Sequence, residues 1–191
     1  MQAWLVALTD FGDIAVLVPL AAVMLAWLLF VRTPRGAIWW AIAVAVCAGL
    51  TAILKIFFYG CPPTPDLYSP SGHTSFSTLV FGAMALVTAA ESAGLRRIIT
   101  IGGSAGFILA ISASRLLLYN HSAPEIGLGL VIGLSCLAVF GQGYLRCQAA
   151  RAWLFPLFLA GGVLVAVLHG WELDAEGLLH AITGYLGIRC D

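Results

Sequence analysis

The chain has 191 residues, of which 61% are hydrophobic and 9% are charged. Soluble domains have about 45 to 50% apolar and about 25% charged residues, so this composition excludes an ordinary water-soluble protein and indicates a membrane protein. The formal net charge is zero, which argues against a nucleic-acid partner. The five cysteines have no zinc-binding spacing, and we expect neither a metal nor another cofactor.

Six apolar runs divide the chain. Each is close to the ~20 residues that cross a hydrocarbon core about 30 Å thick, and they cover residues 12–31, 38–57, 74–90, 98–117, 126–145 and 152–169. We therefore predict an all-α, polytopic membrane helical bundle of about six transmembrane helices, built as a single membrane-embedded domain over residues 1–191. The segment after Trp171 is too polar to span, so residues 171–191 are expected to form an interfacial tail with one apolar helix face.

The charges are distributed unequally between the two ends of these runs. Acidic residues lie mainly at one end, whereas six arginines flank the other: Arg32, Arg35, Arg96, Arg97, Arg146 and Arg151. Because arginine-rich loops are typically cytoplasmic, we predict that both termini and the acidic face lie outside the cytoplasm. The expected location is the cell membrane, with several passes, and the acidic face would be periplasmic in a Gram-negative cell.

Two pairs of glycines are spaced four residues apart within the predicted spans, Gly102 with Gly106 and Gly129 with Gly133. This spacing places both glycines of a pair on one helix face and lets membrane helices approach closely. We expect both pairs to serve helix packing.

Polar residues suited to binding an anion cluster at the predicted outer ends of the runs. The segment Ser71-Gly72-His73 precedes the third run, where unpaired backbone N–H groups and the positive end of the helix dipole favour an anion. Pro124 is suited to the first turn of the fifth helix, so a second helix N-terminus is expected to point to the same place. Together with Lys55 and the fork-shaped donor Arg115, these features predict a site for a tetrahedral oxyanion.

Two histidines in this cluster predict covalent catalysis. His121 and Glu125 are four residues apart, about one helical turn, so the carboxylate can orient the imidazole as a nucleophile. His73 can protonate the leaving group and then activate water. Ionisable groups beside membrane helices are costly, so their concentration on one face indicates a function rather than packing. His169 and His180 are expected to be interfacial residues.

These motifs resemble those of the type 2 phosphatidic acid phosphatase superfamily. Pro70-Ser71-Gly72-His73 matches one family motif in full, and Ser114-Arg115 followed by His121 and Glu125 matches another, with glutamate where the family usually has aspartate. The resemblance covers the core motifs between residues 55 and 133, and two matching motifs in the family's order are specific.

The resemblance implies a metal-independent hydrolase of the lipid phosphatase type, which removes phosphate from a lipid phosphate or lipid diphosphate through a phosphohistidine. It implies that His121 is the nucleophile, oriented by Glu125, and that His73 is the acid and base. The phosphate-binding residues that it implies are Lys55, Ser71, Gly72 and Arg115. It also implies a site that faces away from the cytoplasm, in agreement with the arginine distribution.

The first family motif is incomplete in this chain, because Pro62 stands where the family has an arginine. We hypothesise that a disulfide between Cys61 and Cys190 holds the tail over the site, so that Arg189 supplies the missing cation. Such a disulfide is chemically permitted outside the cytoplasm.

Two other functions stay open. A lipid phosphotransferase would form the same phosphohistidine and pass the phosphate to another lipid instead of water. A catalytically impaired member of the family would act as a membrane scaffold or transporter, since one phosphate ligand is missing. The expected partners are a lipid phosphate substrate and membrane lipids, and the sequence specifies neither the head group nor the oligomeric state.

Overall fold

A computed structural model of the chain describes residues 2–64, 66–147, 153–171, 173 and 175–188. These residues form helices and connecting turns, which confirms the predicted all-α bundle. The helices are α1 (Gln2–Asp10), α2 (Ile14–Trp27), α3 (Pro34–Gly60), α4 (Gly72–Ala90), α5 (Gly94–Leu117), α6 (Ala123–Arg146), α7 (Phe155–Leu168) and α8 (Ala175–Leu186). A π-helical turn, Leu28–Arg32, continues α2.

Five helical stretches of the described chain are long and apolar enough to cross a membrane: Ala3–Arg32, Pro34–Gly60, Gly72–Ala90, Gly94–Leu117 and Ala123–Arg146. They correspond to the first five predicted runs. The sixth run contains α7, which has 14 residues and therefore extends over only about 21 Å at 1.5 Å per residue.

The first span differs from its prediction, because it begins earlier and is interrupted. Residues before the predicted start at position 12 already form α1. The helical conformation is interrupted between Asp10, where α1 ends, and Ile14, where α2 begins. Asp13 starts α2 as its N-cap, since its side-chain oxygen Oδ1 accepts a hydrogen bond from the Ala15 backbone N–H at 2.8 Å. The break places a carboxylate at the end of the bundle where the functional residues converge.

Helix α4 lies at the centre of the bundle and packs against both α5 and α6. Its contact with α6 is close because α6 presents glycines there. A methyl group built on Gly129 would come within 2.7 Å of the Ser71 carbonyl oxygen, and one on Gly133 within 2.6 Å of the Ser75 carbonyl oxygen. The predicted packing role of this pair is confirmed.

The other glycine pair does not pack as expected. A methyl group built on Gly102 or Gly106 would meet no atom within 4 Å in the part of the chain that the structure describes. These glycines lie on a face of α5 that no other described helix covers. Among the described helices, the prediction that Gly102 and Gly106 mediate close packing is therefore wrong.

Aromatic residues fill the core between α2, α3 and α6. Trp40 of α3 is buried, its indole N–H donates to the Ala21 carbonyl oxygen at 2.9 Å, and its ring meets Phe140 of α6 edge to face at 5.2 Å. The hydrogen bond satisfies the polar end of an otherwise apolar side chain, as burial of an indole requires. These contacts hold the helices that carry Lys55 and Glu125 in a fixed relation.

The arginine-rich end of the bundle is held by an ion pair between two helices. Arg32, in the π-helical turn, lies with its guanidinium 3.2 Å from the Glu91 carboxylate and stacks over the Tyr144 ring. Helix α4 has 19 residues, about 28 Å of rise, and it separates this end from Ser71 at its other end. The arginine-rich loops and the candidate site thus lie at opposite ends of the bundle.

Candidate active site

The N-terminus of α4 lies where the sequence predicts an anion cradle. Ser71 is the N-cap, and its hydroxyl oxygen accepts hydrogen bonds from the Thr74 backbone N–H at 3.4 Å and from the Thr74 hydroxyl at 3.1 Å. Gly72 begins the helix, and a methyl group built on it would lie 3.8 Å from Cε of Lys55. The buried Lys55 side chain therefore passes directly beside the first turn of α4, where backbone N–H groups favour an anion.

Glu125, in the first turn of α6, connects this cradle to the second histidine motif. Its Oε1 accepts hydrogen bonds from the backbone N–H groups of Tyr68 and Ser69, both at 2.8 Å. Its Oε2 accepts from the Ser122 N–H at 3.0 Å and pairs with Nδ1 of His121 at 2.9 Å. With Ser122 as the N-cap, this is a complete capping box. The carboxylate thus fixes both the loop before α4 and the imidazole.

The pairing with Glu125 determines which nitrogen of His121 can react. A carboxylate only accepts hydrogen bonds, so Nδ1 carries the proton and Nε2 of the neutral ring keeps its lone pair. Nε2 is buried and has no hydrogen-bond partner among the described residues. Burial lowers the pKa of His121, and the charges of Lys55 and Arg115 lower it further. The hydrogen bond to Glu125 raises this pKa but does not offset the other effects. A neutral, oriented imidazole at neutral pH is suited to nucleophilic attack.

Arg115 lies in the last turn of α5, six residues before this histidine. Its carbonyl oxygen accepts from the backbone N–H groups of Asn120 at 3.0 Å and His121 at 3.3 Å. The chain reverses at Tyr119, which has a φ of 58°, a left-handed conformation that is uncommon for a residue with a side chain. The turn therefore brings Arg115 and the His121 imidazole to the same end of the bundle.

His73 is positioned next to the break between α1 and α2. Its Nε2 lies 3.7 Å from Oδ2 of Asp13, and a methyl group on Gly12 would come within 3.2 Å of its ring. The imidazole is also within electrostatic range of Lys55, Arg115, His121 and Glu176. Sequence reasoning missed Asp13 as a neighbour of this histidine, although an acidic residue just before an apolar run is a usual N-cap signal.

A second carboxylate enters the site from the tail. Oε1 of Glu176, in the first turn of α8, lies 2.6 Å from Nζ of Lys55 and 3.8 Å from Nε2 of His121. Burial opposes ionisation of this carboxyl, but the charge of the adjacent Lys55 ammonium and its hydrogen bond, together with the charge of Arg115, hold the pKa of Glu176 below the ordinary value. Sequence reasoning counted Glu176 only among the acidic residues of the predicted outer face, because no local pattern relates it to Lys55.

The structure therefore brings together most of the predicted site residues: Lys55, Ser71, Gly72, His73, Arg115, His121 and Glu125. Arg189 and Cys190 lie outside the described residues, so their predicted roles stay predictions. Ile188 packs against Gly60, which brings the described end of the tail next to Cys61. Within the described ranges, no three His, Cys, Asp or Glu side chains are grouped so that they could hold a metal ion.

The other two histidines make contacts of a structural kind. His169 is bonded through Nε2 to the Ala7 carbonyl oxygen at 2.8 Å, and its ring lies against Phe11. His180 stacks on Tyr59 with ring centres 3.7 Å apart. Their contacts join α7 to α1 and α8 to α3.

Comparison with known proteins places this arrangement in a family. The model of the PAP2 superfamily matches residues 55–149. Over this region the chain belongs to the PAP2 superfamily. Members of the PAP2 superfamily are phosphatases, and the matched region includes every catalytic residue that the sequence motifs indicate, from Lys55 to Glu125. Asp13 and Glu176, which the structure adds, lie outside the PAP2 region.

One relative extends the similarity beyond the motifs. A protein of Klebsiella pneumoniae described as "Uncharacterized 22.5 kDa protein in cps region" is 31% identical to this chain over 137 residues. The match covers 68% of this chain and 64% of the relative, so the chain spans slightly less than two thirds of that protein. No solved structure matches the chain.

Proposed function

We propose that this PAP2 superfamily protein removes phosphate from a lipid phosphate or lipid diphosphate through a phosphohistidine on His121. The observation that carries the proposal is the pairing of Nδ1 of His121 with Glu125 at 2.9 Å. This pairing directs the free Nε2 toward a region bordered by the cations Lys55 and Arg115 and by the N-terminus of α4. A nucleophile and an anion site that face each other are the two requirements of phosphoryl transfer.

In the first step, the Nε2 lone pair of His121 attacks phosphorus and the phosphorus–oxygen bond to the lipid breaks. Protonated His73 gives its proton to the departing lipid oxygen, which leaves as an alcohol, or as a phosphate ester from a diphosphate. The Glu125 carboxylate stabilises the positive charge that develops on the His121 ring. Lys55, Arg115 and the backbone N–H groups after Ser71 hold the phosphate oxygens.

In the second step, neutral His73 accepts a proton from a water molecule while the oxygen of this water attacks phosphorus. The bond between phosphorus and Nε2 of His121 breaks, inorganic phosphate leaves, and His73 is again protonated. The acid of the first step is therefore the base of the second. Asp13, whose Oδ2 is 3.7 Å from Nε2 of His73, would stabilise the protonated form of this imidazole.

An apolar cavity supports a lipid as the substrate. A space of about 260 Å³ adjoins the site and is lined by Lys55 and His73 together with apolar side chains such as Phe76 and Leu179. Ligand sites of this type combine apolar walls with a few convergent polar groups. The part of an acyl or prenyl chain nearest the head group would lie here while the phosphate of the lipid reaches the cations.

The test is phosphate release by the detergent-purified protein from a panel of lipid phosphates and diphosphates, without added metal. We expect release by the wild type, loss of at least about a hundredfold in kcat for His121→Ala, and an acid-labile phosphoenzyme only where His121 is present. His169→Ala is the matched control, because this histidine lies outside the site. Equal release by His121→Ala and the wild type would exclude the phosphohistidine. Analysis of the labelled product in the presence of a second lipid separates hydrolysis from phosphotransfer.

A further inference from the structure

A carboxylate of the protein itself stands where the proposed reaction needs phosphate. Oε1 of Glu176 is 2.6 Å from Nζ of Lys55 and 3.8 Å from Nε2 of His121. Reacting atoms must approach to about 3 to 3.5 Å before attack. A phosphate that contacts Lys55 and faces Nε2 would therefore overlap the Glu176 carboxylate, and the two cannot occupy the site together.

The charge of the site leads to the same conclusion. Lys55 is 3% exposed, and a buried ammonium without a counter-charge is costly. Glu176 supplies this counter-charge while the site holds no substrate. A bound phosphate would replace it, and if the carboxylate stayed in place the two anions would repel each other at short range.

The surrounding contacts allow the side chain to leave without loss of the helix. Glu176 is in the first turn of α8, and its side chain is 50% exposed. Other contacts hold α8 and the residues after it on α3: His180 stacks on Tyr59, the Thr183 hydroxyl lies 3.4 Å from the Ile56 carbonyl oxygen, and Ile188 packs against Gly60. A rotation of the Glu176 side chain toward solvent would open the site while these contacts persist.

We propose that Glu176 occupies the phosphate position as an internal competitor and thereby sets the affinity of the site for phosphate. This inference rests on the proposed function, but Glu176 is neither nucleophile nor acid nor base. A ligand binds only to the open fraction of the molecules, so its apparent Kd is the intrinsic Kd divided by that fraction. The effect lowers the affinity for every phosphate ligand by the same factor and leaves the chemical steps unchanged.

The experiment compares Glu176→Gln, which keeps the shape and removes the charge, with Glu176→Ala. Asp66→Asn is the matched control, because Asp66 is an exposed acid whose backbone carbonyl oxygen accepts a hydrogen bond from Ser122, next to the site. We expect both Glu176 variants to have a KM for a lipid phosphate that is about tenfold lower than that of the wild type. The Kd of inorganic phosphate, measured by calorimetry, should fall by the same factor. We expect kcat to be retained and the control to match the wild type.

Two results would overturn the proposal. A lower kcat with unchanged KM in Glu176→Gln would make Glu176 a catalytic or positioning residue, and an unchanged Kd for inorganic phosphate would mean that the carboxylate does not compete. The calorimetric measurement needs no turnover. If no lipid is hydrolysed by the wild type, the proposed function fails, while the phosphate Kd of the variants still decides the role of Glu176.

Discussion

Glu125 uses the two oxygens of one carboxylate for two purposes. Oε1 holds the backbone of the loop before α4, and Oε2 holds His121 and caps α6. The family usually has aspartate here, and the extra methylene of glutamate does not prevent contact with the imidazole at 2.9 Å. The position and protonation of His121, the proposed nucleophile, therefore depend on the same carboxylate that orders the loop before α4.

We expect Glu125→Ala to lower kcat by about 10²- to 10⁴-fold, because the imidazole loses its orientation and its counter-charge. Glu125→Asp keeps the charge and should retain an intermediate kcat. The measurement is the initial rate of phosphate release together with thermal unfolding. Ser122→Ala is the matched control: it removes the N-cap hydroxyl, costs about 1 kcal/mol of stability and leaves the carboxylate in place. A fall in kcat as large in Ser122→Ala as in Glu125→Ala would contradict the specific role of Glu125.

At the scale of single residues, the local part of the site could be predicted from the sequence. Ser71 as an N-cap and Pro124 in a first helical turn follow from backbone chemistry within a few residues. The pairing of His121 with Glu125 follows from helical spacing. The contacts of Asp13 with His73 and of Glu176 with Lys55 could not be predicted in this way, because they join residues 60 or more positions apart.

At the scale of the helices, the two glycine pairs show how one pattern can have two outcomes. Gly129 and Gly133 of α6 lie against the backbone of α4, whereas Gly102 and Gly106 of α5 lie on an uncovered face of the described chain. Small residues permit a close approach but do not specify which helix comes near. The neighbour is decided by the packing of the whole bundle.

The difference between the pairs leads to a prediction about stability. Gly133→Ala places a methyl group within 2.6 Å of both the Ser75 carbonyl oxygen and the Thr78 side chain, so α4 and α6 must separate. We expect the free energy of unfolding to fall by about 1 to 3 kcal/mol, which would be measured as a lower unfolding temperature in detergent. Gly106→Ala is the matched control and should be neutral or slightly stabilising, since alanine favours a helix. Similar losses in both variants would mean that the α4–α6 contact is not specific.

At the scale of the whole molecule, the charges divide between the two ends of the bundle. Arg32 and Glu91 pair at one end, and the candidate site lies at the other, about 28 Å away along α4. Because arginine-rich loops are typically cytoplasmic, we predict that the site opens outside the cytoplasm.

Cysteine labelling in intact cells tests this orientation. Tyr68, near the site, is 57% exposed, and Leu95, at the arginine-rich end, is 69% exposed. We expect a membrane-impermeant thiol reagent to label Tyr68→Cys from outside and to label Leu95→Cys only after the membrane is permeabilised. The chain without an added cysteine is the background control. The opposite pattern would place the site in the cytoplasm.

The sequence by itself determined the helical membrane character, the approximate bounds of five of the six predicted spans, and the identity of the two histidine motifs. These features depend on composition, on helical period and on residues that are close together in the chain. Only the tertiary structure decided that Asp13 lies beside His73 and that Glu176 fills the space between Lys55 and His121. The physical reason is that such contacts arise from the mutual packing of α2, α3, α4 and α8, which depends on the shapes of all the helices at once.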